Sequence, residues 1–437
     1  MKYLSIIYYD TFARFFCAIE DAVKERDSAA EFLHLAIFPS GWLYMKVKGR
    51  NVRLLPLEVR KPYVAEREVG DADLDKIAHY HAVTGARFGS GYKHSLRKRA
   101  RNYLGTMERI LGEFRPDAVL FSGDTRIACE ALQYHLDQVG YEGKRFYFEQ
   151  GPNGTTIFDR RGVNANCSFR RAAANLTGEG YDPETAAKQL KFKKNPMFRG
   201  SDYVAIGILR LFGRLPPEWD TMPLRKLSEA DYSNCIAHGR RNARSDSTEI
   251  LVALQVPDDA NNIHHNPMEL RDIDLVTWVL RASSRLGSRV RVREHPLYRR
   301  RYSAEMYKLL SSNDRVALSD SDLSEDLADA SVVVTVNSMT GLDAYIRKIP
   351  VILLGNAFYD HLPGVERAQT EACLEKSLTD LTKHGLASRL GGRSPSSIFA
   401  EMRAKYFIDG HYLDAELSAP QTIAKILTQQ ITDRAGK

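Results

Sequence analysis

The sequence predicts an α/β protein with two parallel-sheet domains that face a central cleft. Its 437 residues exceed what one hydrophobic core usually serves, so two domains are expected. Strand-like and helix-like segments alternate in both halves of the chain, which is typical of parallel sheets with right-handed crossovers. Residues 166–245 interrupt this alternation, which begins again at residue 249. Each half is therefore expected to be Rossmann-like.

The first domain is predicted to span residues 1–165. Short apolar runs bounded by turn residues indicate buried strands, whereas residues 95–114 carry apolar side chains at helical spacing. The predicted strands are 3–9, 118–122 and 145–149, and the predicted helices are 95–114 and 125–139. The pattern of residues 40–90 gives no clear assignment.

Residues 166–245 are predicted to form a helical and loop-rich linker insertion. Their apolar and basic stretch 206–215 fits either an ordinary docked helix or a helix on a membrane surface. The second domain is predicted to span residues 246–415, followed by a C-terminal helix within 416–437. Its predicted strands are 249–256, 289–293, 316–318, 332–336 and 350–354, and its predicted helices are 272–286, 304–310, 324–330 and 338–346.

The composition is that of a soluble globular protein, with 43% hydrophobic and 27% charged residues. No run approaches the roughly 18 apolar residues of a spanning helix. The first ten residues also lack the features of a signal peptide. Five cysteines without a C-x-x-C spacing argue against a disulfide framework and a zinc site, and they fit a reducing cytoplasm.

The net charge is +7, and the excess is clustered. Basic groups occur at 93–101, 191–194, 240–244 and 299–301. Such clusters fit acidic substrates, an anionic membrane face or simply a solvated surface. Nucleic acid is disfavoured as a partner, because no recognition-helix, zinc-finger or RNA-binding motif accompanies the charge.

In open α/β sheets, ligands bind beyond the carboxyl ends of the strands, so the residues that follow each strand are site candidates. After the strand 332–336 come Asn337, Ser338, Thr340 and Gly341, at the start of a helix. Free N–H groups and the dipole of such a helix attract a phosphate, and the two hydroxyls add hydrogen bonds. The alternative is that Asn337 or Ser338 is merely an N-cap.

Two other strands of the second half end in titratable residues. Arg293 and His295 follow one strand, where a histidine holds a phosphate or protonates a leaving group. Asp258 and Asp259 follow another, together with Gln255. Paired acids there are candidates for a nucleophile or a base. The alternatives are a structural histidine and an Asp-rich turn.

In the first half, Glu149 and Gly151 follow the strand 145–149, and Arg161 and Asn164 lie downstream. A carboxylate there is a candidate general base for an acceptor hydroxyl. The loop is neither a G-x-G-x-x-G motif nor a P-loop, which argues against dinucleotide and ATP binding. No metal site is expected, since the pair His264-His265 lacks the spacing to place both rings on one ion.

Together these motifs resemble the bacterial capsule polysaccharide biosynthesis and export family. The resemblance rests on E-x-G with G-V-N downstream, Q-V-P-D-D, H-P, V-N-S-M-T-G-L-D-A and P-V-I-L-L-G-N-A-F-Y, over roughly residues 115–165 and 249–362. The family includes the β-Kdo transferases that build the oligo-Kdo linker on phosphatidylglycerol. One departure is Ala260, where the family often has a polar residue.

The resemblance implies a GT-B-like fold and a retaining, metal-independent glycosyltransferase without a cofactor, with CMP-Kdo as donor. Asp259, or else Asp258, would be the nucleophile, Glu149 the acceptor-side carboxylate and His295 a neighbour of the CMP phosphate. Asn337, Ser338 and Thr340 would hold the nucleotide. The donor carries a phosphate and a carboxylate, so Arg293 or Arg161 is expected to bind the second anion.

The implied partners are a nucleotide sugar, a lipid or Kdo-lipid acceptor, the anionic inner-membrane surface and other capsule proteins. The implied location is cytoplasmic and peripheral at the inner membrane. Two alternatives stay open: a transferase of surface polysaccharide assembly that uses another nucleotide sugar, and a non-catalytic protein of capsule export or assembly.

Overall fold

The computed structural model describes residues 1–59, 69–85, 90–183, 190–212, 215–219, 226–241 and 249–429. The chain divides into two compact units. The first comprises residues 1–163, 185–222 and 406–437, and the second comprises residues 164–184 and 223–405. Each unit is built around one sheet in which parallel pairing dominates, and the predicted α/β class with two parallel-sheet domains is thereby confirmed.

The first unit contains a seven-stranded sheet. Its strands are β1 (Lys2–Ile7), β2 (Glu31–Ala36), β3 (Val52–Leu54), β4 (Ala118–Ser122), β5 (Lys144–Gln150), β6 (Thr155–Asp159) and, from the C-terminal part of the chain, β13 (Phe407–Asp409). The order across the sheet is β13-β6-β5-β4-β1-β2-β3, and β1 to β5 run parallel. Strand β4 is buried along its whole length, as expected for a parallel strand covered on both faces.

The helices of the first unit cover the two faces of this sheet. They are α1 (Asp10–Lys24), α2 (Pro39–Val47), α3 (Leu55–Glu58), α4 (Asp71–Ile77), α5 (His79–Thr84), α6 (Ser90–Phe114), α7 (Ile127–Gln138), α8 (Pro196–Leu211) and α18 (Ala419–Gln429). Helix α6 begins five residues before its predicted start and lines up Leu104, Met107 and Ile110 in the core. None of the described helices is long and apolar enough to cross a membrane.

One edge of this sheet departs from the predicted parallel arrangement. Strands β5 and β6 form an antiparallel hairpin, and β13 pairs antiparallel with β6. The connecting turn places Asn153 at φ 51° and Gly154 at φ 77°, a left-handed conformation that glycine and asparagine adopt most readily. The loop predicted after residue 149 is therefore a tight hairpin turn.

The second unit contains a six-stranded sheet in which every pairing is parallel. Its strands are β7 (Glu249–Ala253), β8 (Arg289–Arg293), β9 (Val316–Leu318), β10 (Ala330–Thr335), β11 (Val351–Leu353) and β12 (Glu366–Arg367), in the order β12-β11-β10-β7-β8-β9. Its helices are α9 (Glu229–Arg241), α10 (Ala260–His265), α11 (Asp272–Ala282), α12 (Ala304–Ser312), α13 (Leu323–Asp329), α14 (Met339–Ile346), α15 (Glu371–His384), α16 (Ala387–Leu390) and α17 (Pro395–Tyr406).

The units divide the chain differently from the predicted boundaries. The predicted insertion 166–245 is shared, because residues 185–222 belong to the first unit and the remainder to the second. The C-terminal segment also returns to the first unit, since Ile423 and Leu427 of α18 share a buried cluster with Phe15 and Phe16 of α1. The predicted boundary at 245/246 falls within residues 242–248, outside the described part of the chain.

Candidate functional site

In the second unit, Asn337 links the loops that follow β7 and β10 through hydrogen bonds. Gln255 donates a hydrogen bond from Nε2 to Asn337 Oδ1 at 2.6 Å, and the Asn337 backbone N–H donates to Gln255 Oε1 at 3.0 Å. The Asn337 amide nitrogen also donates to the carbonyl oxygens of Asn261 and His265. Asn337 is 2% exposed, so this predicted nucleotide-binding residue is buried and holds the loops at the edge of the sheet in place.

Ser338 forms the N-cap of α14, the alternative that the sequence left open. Its hydroxyl accepts a hydrogen bond from the Thr340 backbone N–H at 3.2 Å, and its carbonyl accepts one from the Tyr359 hydroxyl. A Cβ atom at Gly341 would lie 2.4 Å from that hydroxyl, so the close approach of Tyr359 requires glycine here. The first turn of α14 still points toward the carboxyl edge of the sheet, where an anion is favoured.

Asp259 and His295 lie within electrostatic reach of each other at the carboxyl ends of β7 and β8. Asp259 is the exposed N-cap of α10, and it accepts a hydrogen bond from the Asn261 backbone N–H at 2.8 Å. Burial lowers the pKa of His295, and the nearby carboxylate of Asp259 partly opposes that shift. The structure thus places these two predicted residues after neighbouring strands at the same edge of the sheet, with Asp258 next to Asp259 in sequence.

The hydrogen bonding of His295 determines which ring nitrogen carries the proton. His295 Nδ1 accepts a hydrogen bond from the Leu297 backbone N–H at 3.2 Å. A neutral ring that accepts at Nδ1 carries its proton on Nε2. Because its pKa is lowered, His295 is neutral at pH 7 and can donate from Nε2 to a phosphate oxygen.

Arg293, predicted to bind an anion of the donor, is engaged with a protein carboxylate. Its guanidinium donates to Asp326 Oδ2 at 2.6 Å and to the Ser321 carbonyl at 2.9 Å. The Asp326 side chain is completely buried and also pairs with Arg291. A buried carboxylate needs such compensation, and no pattern in the sequence indicates that Asp326 is buried next to β8.

The predicted residues of the first unit occupy the β5–β6 hairpin and the segment after it. Glu149 Oε1 accepts the backbone N–H of Gln150 at 2.8 Å, and its charge adds to burial in raising the pKa of Tyr412. A Cβ atom at Gly151 would lie 2.3 Å from Thr155 Oγ1, so the turn itself requires this glycine. Arg161 is exposed, and Asn164, at φ 51°, begins the part of the chain that belongs to the second unit.

A further polar cluster follows β11, and the candidate residues named from the sequence do not include it. We call Arg170, Asn356, Asp360 and His361 the Asp360 cluster. Arg170 donates from Nε to Asp360 Oδ1 at 2.9 Å and from Nη2 to Asn356 Oδ1 at 2.9 Å, while His361 Nδ1 contacts Asp360 Oδ1 as well. Burial alone would raise the pKa of Asp360, but hydrogen bonds from Arg170 and His361 hold it below its usual range.

The Asp360 cluster is joined to the loops that carry the predicted residues. The His265 carbonyl at the end of α10 accepts the Asn356 backbone N–H at 2.8 Å, and the Val336 carbonyl accepts that of Gly355 at 2.8 Å. The strand-end rule applied to β11 would have found the cluster, because L-G-N-A-F-Y-D-H follows that strand. The loops after β7, β10 and β11 therefore form one hydrogen-bonded edge.

We expect His265 to make the stability of the second unit depend on pH. Burial lowers its pKa to about 4, with the charges of His264 and Arg170 adding to the effect. The folded state therefore disfavours the charged ring. The ring therefore costs the folded state nothing above pH 6.5, and the free energy of unfolding falls as pH drops from 6.5 through 4, by about 3 kcal/mol in all. Urea unfolding at pH 7.5 and 4.5 should show a smaller loss for His265→Gln.

His384→Gln serves as the control, because His384 is exposed. It should show the same loss of unfolding free energy as the unaltered protein between pH 7.5 and 4.5. An equal loss in His265→Gln and the unaltered protein would contradict the assignment of this pH dependence to His265.

In a comparison with protein families, residues 217–382 match the family described as capsule polysaccharide biosynthesis protein. The predicted family resemblance is confirmed. The capsule-synthesis region, as we call residues 217–382, contains Asp259, His295 and Ser338, but not Glu149 or Arg161. A search of curated proteins found no match.

Several solved structures resemble the chain distantly. A β-Kdo 2,7-transferase from Thermosulfurimonas dismutans has a TM-score of 0.38 at 14% identity, covering 75% of this chain and 89% of its own. A UDP-GlcNAc 2-epimerase from Neisseria meningitidis bound to UDP-GlcNAc has a TM-score of 0.34 at 12% identity, covering 99% and 100%. A Methanocaldococcus jannaschii UDP-GlcNAc 2-epimerase in complex with UDP-GlcNAc and UDP has a TM-score of 0.35 at 13% identity, covering 98% and 100%. These similarities are too distant to carry an argument about function.

Proposed function

We propose that the protein is a glycosyltransferase of capsule polysaccharide assembly, and specifically a retaining β-Kdo transferase that uses CMP-Kdo. The observation that carries the proposal is that Asp259 and His295 follow two neighbouring strands, β7 and β8, at the carboxyl edge of an all-parallel sheet within the capsule-synthesis region. That edge is where open α/β sheets bind ligands. An exposed carboxylate beside a neutral histidine there suits a sugar with a phosphate leaving group.

In the proposed reaction, Asp259 attacks the anomeric carbon and the bond to the CMP phosphate oxygen breaks. CMP leaves with the bonding electron pair, and the sugar stays on Asp259 as an ester. An acceptor hydroxyl then attacks the same carbon and releases the carboxylate, with Glu149 proposed to take the hydroxyl proton. Two inversions give overall retention. His295 donates a hydrogen bond from Nε2 to the phosphate and stabilises its charge.

The proposal names CMP-Kdo as donor, a lipid or Kdo-lipid as acceptor, and no metal or cofactor. Incubation with CMP-Kdo and a phosphatidylglycerol-based or Kdo-lipid acceptor should add one or more 3-deoxy-octulosonate residues, detected by mass spectrometry. The product should form equally well in EDTA. No product with any Kdo acceptor, and CMP-Kdo left intact, would overturn the proposal.

Calorimetry distinguishes the donor from other nucleotide sugars. CMP should bind more tightly than UDP or GDP, because only the correct base finds its hydrogen-bonding partners. Tight binding of UDP or GDP instead would redirect the proposal to a transferase with another donor. If CMP, UDP and GDP all fail to bind, a non-catalytic role in capsule export or assembly is favoured.

Replacement of His295 by alanine should weaken CMP binding about tenfold, the effect expected from losing one hydrogen bond to a charged phosphate. Calorimetric titration with CMP measures this directly. His384→Ala is the control, because His384 lies on α15, is exposed and has no place in the proposed site. CMP binding and donor turnover unchanged in His295→Ala would contradict the role given to His295.

A further inference from the structure

Helix α8 has one face docked in the first unit. Asp202 Oδ1 accepts the Ser40 backbone N–H at the start of α2 at 2.7 Å, and the Phe198 ring packs edge-on against Tyr44 with centroids 5.1 Å apart. Ile206 and Leu209 pack against the hydrophobic core. These positions recur every three or four residues, so they occupy one side of the helix.

The opposite face of α8 is apolar and exposed. Large hydrophobic side chains occupy it at helical spacing, and Gly200 and Gly207 fall between them. The exposed fractions are 77% for Met197, 71% for Tyr203, 62% for Val204, 51% for Ile208, 86% for Leu211 and 71% for Phe212 just beyond the helix. Surface helices usually place charged residues outward, so a continuous apolar face in solvent marks an interaction site.

The charge around this face is positive. Lys193 and Lys194 are exposed immediately before α8, and Arg210 borders its apolar face. The only acidic residue within 190–212 is Asp202, which is 3% exposed and paired with Arg199. The segment therefore presents apolar and cationic groups to solvent without an exposed carboxylate. This complements an anionic surface that is apolar beneath, as in a bilayer of acidic phospholipids.

We propose that the exposed face of α8 docks the protein on an anionic phospholipid bilayer. The helix lies in the plane of the interface, with Val204, Ile208 and Leu211 inserted among the acyl chains. Lys193 and Lys194 contact the phosphate headgroups. Tyr203 and Phe212 lie at headgroup depth, where aromatic rings are enriched. This inference rests on the proposed function, because docking on a bilayer would serve a transferase with a lipid-linked acceptor. Docking itself needs neither donor nor acceptor.

Flotation with vesicles tests the docking surface without any sugar nucleotide. The full-length protein should float with vesicles of phosphatidylcholine and phosphatidylglycerol, and remain unbound with phosphatidylcholine alone. The triple variant Val204→Gln/Ile208→Gln/Leu211→Gln should lower the partition coefficient about tenfold or more. Lys193→Glu/Lys194→Glu should lower it by about tenfold, and added salt should weaken binding of the unaltered protein.

The matched control is Val47→Gln/Val83→Gln/Val139→Gln, which removes three exposed apolar side chains elsewhere in the first unit. It should bind vesicles like the unaltered protein, and all variants should keep the same circular dichroism and melting temperature. Absence of vesicle binding, or equal binding by the α8 variant and the control, would overturn the proposal. So would a dimer in sedimentation analysis that the α8 variant dissociates, since a second copy would then cover the face.

Docking and catalysis fail separately in this design. Vesicle binding without transfer of Kdo to any acceptor would leave the docking surface standing and remove the proposed reaction. Transfer to a detergent-dispersed acceptor without vesicle binding would support the proposed reaction and remove the docking surface. The α8 variant should retain full activity on that dispersed acceptor, because its substitutions lie outside the residues proposed to act on the sugar.

Discussion

Replacing Asp259 by asparagine is expected to abolish Kdo transfer while leaving the fold and CMP binding almost unchanged. The amide cannot form the glycosyl ester, and loss of a nucleophile usually costs at least about 1,000-fold in kcat. Asparagine caps a helix as well as aspartate does, so the N-cap bond to the Asn261 N–H is retained. Initial rates with CMP-Kdo and calorimetry with CMP measure the two effects.

Asp258→Asn is the matched control, because it removes the neighbouring carboxylate of the same loop. It should retain most of the transfer activity. The reverse pattern, with Asp258→Asn inactive and Asp259→Asn active, would exchange the roles of the two acids. If Asp259→Asn instead loses CMP binding together with its melting transition, the carboxylate is structural and the proposed nucleophile is wrong.

Replacement of Arg170 by methionine should destabilise the second unit by about 3 kcal/mol, because it removes the principal ion pair of a buried carboxylate. The side chain of Asp360 is fully buried, and Arg170 supplies two of its hydrogen bonds. Its other neighbours are His361, the Ala357 N–H and Arg367, whose Nε lies 3.7 Å from Asp360 Oδ2, too far for a hydrogen bond. Urea unfolding at pH 7.5 measures the loss, and CMP binding at a temperature where the variant is folded should also weaken.

Arg240→Met is the control for the ion pair itself. Arg240 pairs with Asp320 at the surface, where the two side chains are 71% and 28% exposed. Such a pair contributes no more than about 1 kcal/mol, so its removal should change the free energy of unfolding very little. If Arg170→Met is as mild as Arg240→Met, the Asp360 cluster does not hold the carboxyl edge of the sheet together.

Apolar periodicity predicted most of the second sheet because its strands are buried on both faces. Strands β8 and β9 coincide with their predicted ranges, and β7 and β10 begin and end within three residues of theirs. The first unit was harder to predict. Strand β3 has only three residues and α3 to α5 are short, so no pattern in residues 40–90 was long enough to show a period.

The strand-end rule located the candidate site but gave no information on how its side chains are used. It singled out Asn337, Gln255 and Arg293 as ligand-binding residues, and the structure engages all three with other protein groups. Conversely, it passed over Asp360, whose partner Arg170 lies 190 residues earlier in the chain. Hydrogen bonds between distant segments leave no local signal in one sequence.

By itself, the sequence determined the α/β class, the parallel strands of the second unit and the loops on which Asp259, His295 and Ser338 lie. These follow from apolar periodicity and turn residues, which act over a few neighbouring positions. Only the tertiary structure decided that residues 185–222 and α18 join the first unit, that Arg293 serves Asp326, and that α8 leaves an apolar face in solvent. Burial and pairing depend on which distant segments meet, and that information is not local.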